Sequence, residues 1–484
     1  MRFLNFALLL LFPLIANSRP TNPISFISIP LSKVHLRDTS HQHPAIVHQQ
    51  NINNALRRYA RMTGRSEPTR DELLKKLIDR MSAIPPSSLQ KRYYREGINK
   101  IWDHLGLSGQ GLSPALGSAK PAEDIAKPLA NPHSGTSGKT GSHSVAPASV
   151  GIEIQGQDVG YMATIAIGTP SRNFRLIVDS GSADLWVGAV GCQADSGGSC
   201  GDHVYLGQNT STSLAVLNQT WSIQYGTGSV SGNMVKDTIR IGNLQLPSHE
   251  FGTASIESSD FTSSFIPFDG LLGLAKSQLL SRQQVPTLVE ALYAAHLIPQ
   301  LVTSYRIPRW VDHKDDGEVT FGGMDPTKFV ARTLVTVKNQ SKLGFAEVAL
   351  DAIHVNGADL GWRNRTLILD TGTTLIIAPP KDTAAIHAAI PGAKNIGGTW
   401  TVPCNFTTPI SFKIGGREFT IDHRDIAFIP FEQNDPNGAC MSGISPGNAG
   451  LVDTEWLVGD VFLKNVYFSN NVEKEEISLA IPAS

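Results

Sequence analysis

The sequence predicts a mostly β fold built as two similar lobes, and three observations carry that. From residue 151 onward, short apolar runs alternate with Gly-, Ser- and Asn-rich turns. Within that stretch a six-residue pattern occurs twice, as Ile177-Val178-Asp179-Ser180-Gly181-Ser182 and Ile368-Leu369-Asp370-Thr371-Gly372-Thr373. Each Asp is followed, after 94 and 89 residues, by the Gly of an apolar-apolar-Gly run, Leu271-Leu272-Gly273 and Leu457-Val458-Gly459. Two equivalent halves can close about a pseudo-two-fold axis and bring their repeated elements together at the centre.

The chain ahead of that body has its own order. Arg2 precedes the apolar run Phe3–Phe12, and Ala16-Asn17-Ser18 follows, so residues 1–18 are expected to be a secretory signal. Residues 19–104 form a basic segment, in which Asp71–Met81 has helical apolar spacing with acids early and bases late. Gly, Ser, Ala and Pro dominate residues 105–150, which are expected to be a linker open to proteolysis. Arg57-Arg58 and Lys91-Arg92 are dibasic pairs, read either as processing sites or as helix-surface charge.

Net charge divides along the same line. Residues 19–150 carry 18 basic and 9 acidic side chains, whereas residues 151–484 carry 22 basic and 33 acidic ones. The two parts can therefore attract each other. The basic part has no aromatic-interleaved module and no finger spacing, so no nucleic-acid partner is expected. No apolar run reaches 18 residues and no hydrophobic C-terminal tail is present, so no membrane anchor is expected.

Within the body, Thr164–Ile167, Arg175–Val178, Asp237–Ile241 and Glu318–Phe321 read as strands, and Thr287–Ala295 reads as a helix behind Pro286. The four cysteines allow three pairings, of which local closure favours Cys192–Cys200 and Cys404–Cys440. No C-x-x-C spacing occurs, so neither a metal nor another cofactor is expected. Asn209, Asn218, Asn339, Asn364 and Asn405 open N-x-[ST] sequons, as acceptors for N-glycosylation.

The repeated motif has a chemical meaning. An Asp behind two β-type apolar residues sits at a strand end, and the following Gly allows a tight turn. Ser182 and Thr373 are spaced to donate to the carboxylates. Two such loops meeting at an axis would set two carboxylates side by side, sharing one proton. One carboxyl can then polarise a carbonyl while the other activates water. A glycoside hydrolase also uses two carboxylates, but a doubled D-[ST]-G is not its signature. A binding protein that kept the cleft without turnover would be marked by loss of either Asp, and both are present.

Residues 151–484 resemble a pepsin-like aspartic endopeptidase over nearly their whole length. The resemblance rests on Tyr161–Pro170, on Asp179–Val187, on Ile223–Gly232, and on Phe268–Leu274 with Trp456–Leu463. It implies a bilobal β fold with the active site in the cleft between an N-terminal lobe (151–330) and a C-terminal lobe (331–484). It implies Asp179 and Asp370 as the catalytic pair, supported by Ser182 and Thr373, with Ser180 and Thr371 bonding across to the opposite loop. Tyr225, Gly226 and Thr227 match the flap over the substrate, with Trp186 as hydrogen-bond partner of Tyr225. Ile177, Phe268 and Leu271 match the pocket before the scissile bond, so bulky apolar residues are expected there. The flap lacks an Asp after Gly226 that many fungal relatives carry, and with it the basis for a Lys preference.

Ile29–Lys33 resembles the start of an aspartic protease propeptide, so residues 19–104 are expected to inhibit the chain's own cleft until acid weakens the attraction. One basic side chain is expected on the two Asp, and the sequence leaves open which. The mature start is expected between Gly138 and Glu153. Partners are expected to be protein or peptide substrates, the protein a monomer, and its place extracellular or, alternatively, vacuolar.

Overall fold

The computed structural model describes residues 26–33, 43–84, 160–225, 228–258, 261–262, 267–312, 314, 316–432, 435, 437–447 and 452–483. The expected signal, linker, mature start and Lys91-Arg92 pair lie outside the described residues.

The front segment opens with strand β1 (Ile27–Lys33) and continues into helices α1 (Pro44–Met62) and α2 (Arg70–Ser82). His43 caps α1, its Nδ1 accepting from Ala45 N at 3.1 Å, and Pro44 supplies a first-turn residue with no N–H to satisfy. Ile46, Ile52, Leu56 and Tyr59 form its buried stripe. A reciprocal Thr69–Glu72 capping box starts α2, one residue ahead of the expected stretch. Leu77, Met81 and Ile84 of this segment pack with Ala45 and Ile46 against Phe431 and Met441 of the body. Each such fully buried large apolar side chain contributes roughly 1.5–3 kcal/mol.

The first part of the body holds β2 (Tyr161–Ile167), β3 (Arg172–Asp179), β4 (Leu185–Ala194), β5 (Ala215–Gln224) and β6 (Ser229–Ile241). Then come β7 (Leu244–Glu257), β8 (Gly270–Gly273), the short helix Leu288–Ala294, β9 (Val302–Arg306) and β10 (Glu318–Phe321). The second part runs through β11 (Val335–Lys338), β12 (Ala346–Leu350), β13 (Ala352–Val355), β14 (Ala358–Asp359), β15 (Arg365–Leu369) and β16 (Ile376–Ala378). After the helix Pro380–Ala388 follow β17 (Lys394–Ile396), β18 (Thr399–Pro403), β19 (Ile410–Ile414), β20 (Arg417–Ile421) and β21 (Ala427–Pro430). The last strands are β22 (Ala439–Ser442), β23 (Ile444–Pro446), β24 (Glu455–Val458), β25 (Tyr467–Asn471) and β26 (Glu476–Ala480). The expected mostly β architecture is present, and the four strands read from sequence fall inside β2, β3, β6 and β10.

One sheet of 13 strands runs in the order β11-β26-β25-β9-β10-β1-β2-β3-β8-β4-β7-β6-β5. It joins strands from both body parts, and β1 of the front segment sits inside it. The first half of β1 pairs with β10 (Ile27 opposite Phe321) and its second half with β2 (Leu31 opposite Ala163).

The internal repeat becomes a repeated strand motif. β3 and β8 run parallel, with Asp179 opposite Gly273, and β4 lies antiparallel on the far side of β8. β15 and β24 likewise run parallel, Leu369 opposite Val458, with β16 antiparallel beyond β24. So each apolar-apolar-Gly run is the strand that supports its own Asp. Gly459 is required there because a Cβ would stand 2.0 Å from the Thr373 carbonyl oxygen.

Candidate active site

Asp179 ends β3 and Asp370 directly follows β15, and both are 0% exposed. The Asp179 carboxylate accepts from Gly181 N at 2.9 Å and from the Ser182 hydroxyl at 2.5 Å. The Asp370 carboxylate accepts from Gly372 N at 3.0 Å and from the Thr373 hydroxyl at 2.6 Å. Equivalent residues therefore make equivalent bonds. The loops also abut: a Cβ at Gly181 would lie 2.6 Å from Asp370 Oδ1, and one at Gly372 would lie 2.7 Å from Asp179 Oδ1. Glycine at these two positions lets the carboxylates approach each other.

The second residue of each motif fastens the two loops together. Ser180 N donates to the Thr371 hydroxyl and Thr371 N to the Ser180 hydroxyl, both at 3.0 Å. The Thr371 hydroxyl in turn donates to the Val178 carbonyl at 2.9 Å.

A cation from the front segment occupies the space over the pair. Arg58 of α1 donates from Nη2 to Asp179 Oδ1 and, at 2.8 Å, to Asp370 Oδ1, and from Nε to Asp370 Oδ2. Its planar fork thus spans both carboxylates. Burial alone would depress the guanidinium, but the two carboxylates hold it above its ordinary value. Neighbouring residues tie the same helix down, with Tyr59 donating to Glu455 Oε2 at 2.5 Å and Arg65 to the same oxygen at 2.7 Å.

Tyr225 stands at the end of β5, and its hydroxyl accepts from Trp186 Nε1 at 2.8 Å. Burial, with Asp184 and then Asp179 adding to it, pushes the phenol well above its ordinary value. Gly226 and Thr227 lie outside the described residues. Ile177, Phe268 and Leu271 join Trp186 and Tyr225 in one apolar cluster. Phe261 completes it, with ring centroids 5.7 Å from Tyr225, 5.7 Å from Trp186 and 6.3 Å from Phe268. Sequence reasoning missed Phe261.

Disulfides join Cys192 to Cys200 and Cys404 to Cys440. Asn209, Asn218, Asn364 and Asn405 are exposed. Asn339 is half-buried, and its carboxamide nitrogen, where a glycan would attach, donates to the Phe345 carbonyl at 3.0 Å.

Residues 160–481 match the family described as eukaryotic aspartyl protease. The chain belongs to that family. Among its relatives is the "Probable aspartic-type endopeptidase CTSD" of Arthroderma benhamiae, 34% identical over 336 residues, covering 69% of this chain and 63% of that protein. Rhizopuspepsin of Rhizopus chinensis is 31% identical, with 67% and 79% covered, and Pepsin-3 of Oryctolagus cuniculus is 30% identical, with 67% and 82% covered. The match thus spans 63% of the length of the Arthroderma relative. The front segment with Arg58 lies outside the family's span, whereas the loops around Asp179 and Asp370 lie within it.

Proposed function

We propose that the chain is an aspartic endopeptidase, made as a precursor whose front segment blocks its own site. The observation that carries this is the symmetric pair Asp179 and Asp370, each held by a Gly N–H and a hydroxyl on facing loops. With Arg58 withdrawn, two carboxylates this close retain a shared proton. The protonated one donates to the substrate carbonyl oxygen, and the ionised one takes a proton from the attacking water. The resulting tetrahedral centre collapses as the amine leaves with a proton. Acid favours the singly protonated pair, which places the activity at acidic pH. Relatives carry names such as aspartic-type endopeptidase and pepsin, in keeping with this chemistry.

Tyr225 is assigned to cover the substrate, positioned by Trp186. The apolar cluster of Ile177, Phe268, Leu271 and Phe261 supports a preference for bulky apolar residues beside the scissile bond. Residues 19–104 are assigned as the inhibitory propeptide, with Arg58 as the cation on the dyad. An acidic extracellular or vacuolar compartment suits that design. No helix among the described residues is long and apolar enough to cross a membrane.

The test is acid treatment of the full chain at about pH 3–4, with and without pepstatin, followed by intact mass and casein cleavage. Loss of an N-terminal piece, cleavage blocked by pepstatin, and a fall of at least about 10³-fold in Asp179→Asn and Asp370→Asn are expected. Casein left intact at every acidic pH would remove the enzyme reading.

A further inference from the structure

We propose that His48 of α1 is an acid-sensitive latch, holding the front segment on the second half of the body at neutral pH and releasing it as pH falls. This rests on the propeptide reading above and adds a trigger at a place separate from Arg58.

The geometry fixes the protonation of the docked ring. His48 is 0% exposed. Its Nε2 lies 2.9 Å from the Ser442 carbonyl oxygen at the end of β22 and 3.3 Å from the Ser445 hydroxyl of β23. A carbonyl only accepts, so Nε2 carries the proton of a neutral ring. Nδ1 is then a bare lone pair, buried and without a hydrogen-bond partner among the described residues. A second proton placed there would have no acceptor.

Among the described residues no charged neighbour favours that proton. From α2 the buried guanidinium of Arg80 faces the ring and repels it. From β21 the ring of Phe428 lies 6.1 Å away between centroids. On the far side of Ser442, the helix Pro380–Ala388 presents His387, whose Nε2 is 2.8 Å from the Ser442 hydroxyl. His387 Nδ1 sits 2.6 Å from the Thr383 carbonyl and so holds its proton there. His387 is thus a second buried, neutral ring that fixes Ser442. Among the described residues no carboxylate bonds to either ring.

The sign follows from linkage. Burial, the largest cause, drops docked His48 to about 3. A released histidine protonates near 6.5. Between those values the freed segment binds one proton more than the docked one. Docking is therefore undisturbed above about pH 6.5 and weakens as pH falls, by up to tenfold per pH unit.

The experiment uses the full chain carrying Asp179→Asn, which cannot cut itself. Opening of residues 44–62 is followed by hydrogen exchange between pH 7 and pH 3, corrected for intrinsic rates, with and without His48→Gln. Gln keeps an N–H for Ser442 and cannot gain a proton. The expected result is that log opening against pH loses about one proton of slope between pH 6 and 4 in the Gln variant. Slope is read independently of any overall weakening of docking by the substitution. Parallel slopes would overturn the proposal. As a second readout, exchange of the histidine C2 hydrogens, located by mass spectrometry in the chain with native His48, should place His48 titration below pH 5 while docked. Titration near 6.5 in a docked segment would equally overturn it. The propeptide reading fails separately, if, at the highest pH at which the chain lacking residues 26–84 hydrolyses peptide, adding that segment back leaves the rate unchanged.

Discussion

Ser180 and Thr371 satisfy each other's backbone, each hydroxyl accepting the other's N–H at 3.0 Å across loops 191 residues apart. Both groups are buried, so neither N–H has water as an alternative. Ser180→Ala removes the acceptor for Thr371 N, and Thr371→Val removes the acceptor for Ser180 N. Each is expected to cost about 1–3 kcal/mol in urea unfolding. The double variant should cost less than the sum, because the bonds share one junction. Unchanged midpoints in both single variants would show that the junction carries no stability.

Arg58 gives the second prediction. Arg58→Met leaves Asp179 and Asp370 facing each other without a cation. Docking of α1 over them should weaken, and hydrolysis of an apolar synthetic peptide by the uncut chain should begin at least about 1 pH unit higher. A pH–rate profile identical to that of the chain with Arg58 would show that the segment is held off the dyad by other groups.

Trp186 gives the third. Its indole N–H is the donor that positions the Tyr225 hydroxyl at 2.8 Å. Trp186→Phe removes that donor and is expected to lower kcat/KM about tenfold, the equivalent of one hydrogen bond. Apolar packing with Phe261 persists in the variant, so unfolding midpoints should move less than activity does. A large loss of stability with normal kcat/KM in the folded fraction would reverse the assignment.

The fourth concerns Glu257, which ends β7 with its side chain buried, 4% exposed as a residue. Burial pushes its carboxyl up to about 8. An unfolded Glu titrates near 4.3. The folded chain therefore holds the extra proton between those values, and this contribution to stability is lost as pH rises through that window. Glu257→Gln should flatten the decline between pH 5 and pH 8 by about 3.5 kcal/mol in chemical unfolding. Curves that stay parallel over that range would exclude the effect.

The repeated Asp loops were legible because sequence-local patterns build them: two apolar strand residues, the Asp, a hydroxyl and a Gly. α2 was legible for the same reason, since its apolar spacing, early acids and late bases all lie within Asp71–Met81. Arg58 was not. As half of a dibasic pair it looked like helix surface or a cutting site, and only the docking of α1 turns it onto the dyad, 121 residues from Asp179. A usable signal existed, because Ile52, Leu56 and Tyr59 mark a buried stripe bordering Arg58. His48 was hidden for a similar reason, since its partner Ser442 is 394 residues away. Phe261 follows a run of Ser and Asp and carries no period that would assign it to the apolar cluster.

The position of β1 also bears on how the chain folds. Its two halves bond to strands whose residues lie about 130 and 290 places further along the chain. Cutting between Ile84 and Gly160, with loss of the front segment, would leave Glu318–Phe321 and Tyr161–Ala163 without the strand they both pair with. If the segment is removed as proposed, the full chain is the form expected to refold reversibly, and the shortened chain is expected to be held by its unfolding barrier. Recovery of native fold after denaturation should be several-fold lower for a chain lacking residues 26–84 than for the full chain, and equal recoveries would remove that role. On this account the segment acts as a template that the enzyme discards, so each molecule has one opportunity to fold.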